Sequence, residues 1–76
     1  MAETHYLGTA LRRLRRERGL TQRALGEMAG VSRVTVAVLE TGSRATADAA
    51  TVERLARALG VSPAEFFAPQ ETARPA

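Results

Sequence analysis

The sequence has no cysteine, no tryptophan and no lysine. Without cysteine, disulfide staples, thiolate metal ligands and a thiol nucleophile are all excluded, which fits a reducing compartment. Aromatic residues make up only 4% of the chain, so any core has to be built mainly from Leu, Val and Ala. The single histidine, His5, has no second His or Cys to complete a metal site and reads as a surface residue. No stretch approaches the roughly 20 apolar residues that cross a bilayer as a helix. Met1 to Thr9 also lacks the basic start and apolar middle of a signal peptide. No Gly-rich phosphate loop follows a strand, and no carboxylates are set facing each other by local spacing, so the residues offer no enzyme site.

What is present is a 76-residue chain that is 45% apolar, enough for one domain near the lower end of what folds without disulfides or metal. Strand-like alternation is missing, which favours a bundle of short helices. All 11 basic residues are Arg against 8 acidic ones, giving a formal charge of +3 and an isoelectric point near 11.0. Such a balance suits a polyanionic partner, although arginine in place of lysine also follows from a GC-rich coding sequence.

Residues 1–5 carry no periodicity and read as a flexible leader. Leu7, Ala10, Leu11 and Leu14 recur at three- and four-residue steps, marking a first helix that ends near Arg18 and is closed by Gly19. Arg12, Arg13, Arg15, Arg16 and Arg18 surround that stripe; any one of them reads as solvated helix surface, but together they raise the local potential. A fourth helix is signalled by Asp48 as N-cap, by Val52, Leu55, Ala56 and Leu59 as its buried side, and by Gly60 as its stop. Ser62, Pro63 and Glu65 form a capping-box signature for a short fifth helix containing Phe66 and Phe67. Residues 6–68 are thus expected to form the domain, and 69–76, rich in Pro, Ala and polar residues, a disordered tail.

The stretch from Thr21 to Glu40 organises the rest. It reads as two helices, Gln22 to about Ala29 and Arg33 to Glu40 or Thr41, with Thr21 and Ser32 as N-caps. Gly30, between them, takes a positive φ cheaply and ends the first. Leu25, Val31, Val36 and Leu39 are spaced to meet between the two helices, and Gly42 stops the second. This is a helix-turn-helix pattern, with the helix from Arg33 as the one offered to a DNA groove. At 100° per residue Val36 and Leu39 point inward, whereas Val34, Ala37 and Val38 share the opposite face with Thr35 at its edge.

The run Leu14-Arg15-Arg16-Glu17-Arg18-Gly19-Leu20-Thr21-Gln22, then Leu25, Gly30-Val31-Ser32, Thr35-Val36, Leu39-Glu40, Gly42 and Leu55 to Ser62, resembles the phage repressor and Cro class (XRE family) of helix-turn-helix proteins from about Leu11 to Phe67. The resemblance implies an all-α, five-helix, lambda-repressor-like DNA-binding domain acting as a sequence-specific transcriptional regulator, a repressor or autoregulator that binds an inverted repeat as a homodimer. It implies base contacts from Arg33, Val34, Thr35 and Val38, with the arginine suited to guanine O6 and N7. It implies phosphate contacts from Thr21, Gln22, Arg23, Ser43 and Arg44, with Thr21 first of all a cap. It also implies an ion pair between Arg15 and Glu40, for which Arg18 is a rival cation. Gly26 departs from the alanine usual in the family, and close approach of the third helix accounts for a small residue there.

Phe66 and Phe67, with the outer face of the fourth helix, are the expected dimer contacts, because two adjacent aromatics cannot both enter one small core; the alternative is one buried and one half exposed. The expected partners are double-stranded DNA and a second copy of the chain, with no cofactor, metal, membrane or small-molecule substrate, in the bacterial cytoplasm and on the nucleoid when operator is bound. The alternative function is an antitoxin-like or bridging module that binds another protein, with DNA binding secondary, motivated by the apolar outer face of the third helix and the Arg-rich first helix.

Overall fold

The computed structural model describes residues 6–42 and 47–67, and the expected leader and tail lie outside them. Four α-helices follow one another: α1 Tyr6–Glu17, α2 Gln22–Ala29, α3 Arg33–Thr41 and α4 Ala49–Leu59. A short 3-10 helix, Pro63–Phe66, completes the fold, and no strand occurs among the described residues. The short fifth helix that Ser62, Pro63 and Glu65 signal is thus a 3-10 helix, with Phe67 just past its end. Its bonds run from Glu65 N to the Ser62 carbonyl and from Phe67 N to the Ala64 carbonyl, three residues back, and four residues are too few to establish an α-helical ladder. Only the serine half of the box forms: Ser62 Oγ accepts from Ala64 N at 3.2 Å, and Glu65 makes no return contact among the described residues.

The other boundaries follow from local chemistry. Thr21 and Ser32 take extended backbone conformations, and each side chain accepts from the amide three residues on, at 2.9 and 3.0 Å. Asp48 does the same for Thr51 N at 3.3 Å, and its carboxyl sits below the usual aspartate range chiefly through a hydrogen bond with the Thr51 side chain, the backbone bond adding less. Gly30 ends α2 at φ 78°, a left-handed conformation that favours glycine.

The apolar stripes converge in one core. Leu7, Ala10, Leu11 and Leu14 of α1, Leu25 and Ala29 of α2, Val36 and Leu39 of α3, and Val52, Leu55, Ala56 and Leu59 of α4 are all buried, with Phe66 closing one end. Val31 packs partly buried at the α2–α3 turn. Each full-sized buried side chain contributes about 1.5–3 kcal/mol relative to exposure. Where α1 crosses α3 the backbones are in direct contact: a Cβ on Gly8 would collide with the Leu39 carbonyl oxygen. Gly26 is equally confined, since a Cβ there would lie 2.7 Å from the Val31 carbonyl and 3.3 Å from Arg33 N, which accounts for a residue smaller than alanine at that turn.

Candidate nucleic-acid interface

Helix α3 is anchored along one side only. Val36 and Leu39 are 0% and 1% exposed, while Val34 on the outer side is 61% exposed. Ala37 and Val38 are half-buried, and Arg33 is exposed at the first turn with no partner among the described residues. Thr35 is half-buried; its hydroxyl lies 2.9 Å from Ser32 Oγ, so it shares in the cap while remaining on the edge of the outer face. The four residues expected to touch bases are thereby on one helix, with Arg33 and Val34 the most open of them.

The last buried residue of α3 is Glu40, whose carboxylate ties the three motif-bearing helices together. Arg15 of α1 grips it with two hydrogen bonds, Nε to Oε2 at 2.6 Å and Nη2 to Oε1 at 2.9 Å, and donates its third nitrogen to the Leu20 carbonyl at 2.8 Å. Gln22 Nε2, from the first residue of α2, donates to Oε1 at 3.1 Å. Arg12 Nε lies 3.5 Å from the same oxygen. Burial by itself would raise the Glu40 carboxyl, but hydrogen bonds from Arg15 and Gln22, the Arg15 charge and the contact from Arg12 outweigh it and hold the group below the usual glutamate range. The Arg15 guanidinium is raised in turn by its hydrogen bond to Glu40, against the opposing effect of burial. A buried pair of this kind orients helices more than it adds net stability.

Arg18, the rival cation, does not reach Glu40. Its Nε donates to the Leu59 carbonyl at 2.7 Å and its Nη1 to the Leu14 carbonyl at 3.1 Å, so it caps the last turn of α4 and joins the C-terminal ends of α1 and α4. That role has no local sequence signal, because the acceptor lies 41 residues away. The approach of Arg12 does have a local sequence signal: it precedes Arg15 by one helical turn and so shares its face.

The start of α2 presents hydrogen-bond donors. Thr21 Oγ1 accepts from Ala24 N, and the Thr21 carbonyl accepts from Leu25 N. The amides of Gln22 and Arg23 have no acceptor among the described residues, as expected for the first turn of a helix. Arg23 is exposed and lies 3.6 Å from Glu27, an i,i+4 pair too solvated to hold it in place. Ser43 and Arg44, the other two expected phosphate contacts, lie outside the described residues.

The two terminal phenylalanines part company. Phe66 is 0% exposed within the core, so it has no surface to offer a second copy, and its assignment to a dimer contact is corrected accordingly. Phe67 is 49% exposed and lines an open groove of about 430 Å³ with Ala47, Ala49, Val52, Glu53 and Pro63. Among the described residues no cluster of metal-ligating side chains occurs, and no helix is long and apolar enough to cross a membrane.

Residues 11–66 match a family model described as helix-turn-helix. The chain is 40% identical over 65 residues to an uncharacterized HTH-type transcriptional regulator, y4dJ, of Sinorhizobium fredii, covering 86% of this chain and 83% of that one. It is 43% identical over 54 residues to another, RghRB of Bacillus subtilis, covering 71% of this chain but only 39% of that longer protein. The solved restriction-modification controller protein C.AhdI of Aeromonas hydrophila is 34% identical, with a TM-score of 0.80 over 88% of this chain and 100% of its own. The chain belongs to the XRE-type helix-turn-helix family of DNA-binding transcriptional regulators, which are not enzymes.

Proposed function

We propose that this regulator binds an inverted-repeat operator as a homodimer, acting as a repressor or autoregulator in the bacterial cytoplasm, on the nucleoid when operator is bound. The observation that carries the reading is Arg33, exposed and without a partner among the described residues at the first turn of a helix whose other side is locked into the core. In the proposed pose Arg33 reads a guanine edge, Val34 and Val38 pack against thymine methyl groups, and Thr35 adds a polar contact. Thr21, Gln22, Arg23, Ser43 and Arg44 hold the phosphate backbone. One such domain covers a short half-site only; two copies place their α3 helices about 34 Å apart in successive major-groove turns. Phe67 and the outer face of α4 form the proposed contact between copies, since that half-exposed aromatic lines an open groove beside α4 and lies away from α3 in sequence and fold. With about three phosphates per protomer, log affinity should fall against log salt with a slope of about −5.

In-vitro selection from a random DNA library tests the whole reading. An enriched inverted repeat with half-sites one helical turn apart is the expected product; enrichment of a single asymmetric site contradicts the dimer, and no enrichment contradicts sequence-specific binding. A second reading, an antitoxin-like or bridging module, draws on the exposed Met28 and Val34, at 56% and 61%. It predicts no gel shift at low salt together with co-purification of a second polypeptide.

A further inference from the structure

We propose that Arg12 is a DNA-backbone contact in its own right, held beside Gln22 by the Glu40 carboxylate so that the two side chains close on one phosphate at the start of α2. This rests on the reading that the start of α2 faces DNA.

The geometry is set by a single atom. Glu40 Oε1 accepts from Gln22 Nε2 at 3.1 Å and lies 3.5 Å from Arg12 Nε, so donors from α2 and α1 meet at one oxygen. Their separation is bounded by those two contacts, and a phosphate group bridging two donors at about 2.9 Å each can span it. The Glu40 side chain is fully buried and its charge is already matched by the two-pronged grip of Arg15. Arg12 is therefore a surplus cation at that site. Its side chain is 47% exposed, and Nε is turned to the carboxylate, so the terminal nitrogens of the guanidinium are left to donate outward.

Other exposed arginines differ in this respect. Arg13, Arg23 and Arg57 each lie opposite an exposed carboxylate one helical turn away, Glu17, Glu27 and Glu53, at 3.2, 3.6 and 3.8 Å. Among the described exposed arginines, Arg12 alone faces a carboxylate that is buried and shared. The unsatisfied amides of Gln22 and Arg23 supply further donors for the same anion.

The test is equilibrium binding of the full chain to a random-sequence DNA duplex and to a selected one, titrated with NaCl. Arg12→Ala should weaken both duplexes by the same factor and reduce the steepness of the log–log salt slope by about 0.9 per protomer. Arg12→Gln, which keeps a polar stem, should lose the same slope, while Arg12→Lys should retain it. Arg13→Ala removes an equal charge from the same helix, where the side chain pairs with Glu17, and should leave the slope unchanged. The inference is overturned if both Arg12→Ala and Arg12→Gln bind with wild-type affinity and slope, or if Arg13→Ala flattens the slope equally, which would make the effect one of net charge. If the wild-type protein shifts neither duplex at low salt, the DNA-facing reading of α2 fails and this one with it; wild-type binding with an indifferent Arg12 removes this inference alone.

Discussion

Along α3, Val36, Leu39 and Glu40 are enclosed by α1, α2 and the core, while Arg33, Val34 and Val38 lie on the other side with no comparable constraint. The inner residues are determined by one another. Leu39 has to fit beside the Gly8 backbone, and Glu40 has to meet Arg15, Gln22 and Arg12 at once. Among the described residues nothing demands an arginine at 33 or a valine at 34. Residues that the fold leaves free are the ones a partner can select, so the outer face carries recognition and the inner face carries its orientation.

Substitutions on the inner face should have the largest effects on stability. Leu39→Ala should lose about 2–5 kcal/mol of stability in urea unfolding, because it removes a fully buried side chain from a small core. Gly8→Ala should lose about 1–3 kcal/mol by overpacking, since the added methyl group meets backbone that cannot rotate away. If either variant unfolds at the wild-type urea midpoint, α3 is not held as described.

Acid provides an intermediate test. The folded-state values of Glu40 and Asp48 are depressed, Glu40 because hydrogen bonds and arginine charge outweigh its burial, Asp48 chiefly through its hydrogen bond from Thr51. Such groups stabilise the fold fully above the ordinary carboxylate pKa of about 4, and the contribution is lost as pH falls through the depressed values. The thermal midpoint should therefore drop in acid, and Glu40→Gln, less stable at neutral pH, should show a shallower drop. An unchanged acid profile in Glu40→Gln would mean that the Arg15 pair is not coupled to folding. On the outer face, Val34→Ala should change stability by no more than about 0.5 kcal/mol, and a larger loss would show that this side chain is packed after all.

Much of the inner face was legible from residue spacing. Apolar steps of three and four located the core, and the short polar caps Thr21, Ser32 and Asp48 set helix starts because their hydrogen bonds are made to amides only three residues away. What depended on distant chain was not legible. Arg18 reaches Leu59 across 41 residues, and nothing local distinguishes it from its four neighbouring arginines. Phe66 and Phe67 are alike as adjacent aromatics; only the turn of a 3-10 helix sends one into the core and leaves the other exposed. Gln22 could be placed at the start of α2 from its cap, but its hydrogen bond to Glu40 needed the third dimension.

The most direct measurement is made on Arg33→Ala, with folding stability and DNA discrimination determined on the same preparation. Because Arg33 is exposed and without a partner among the described residues, stability should stay within about 0.5 kcal/mol of wild type. Affinity for the selected operator should fall by about 1–3 kcal/mol, with preference relaxed at one base pair per half-site. Wild-type affinity for operator and random DNA alike in Arg33→Ala would contradict the assignment of recognition to the outer face of α3.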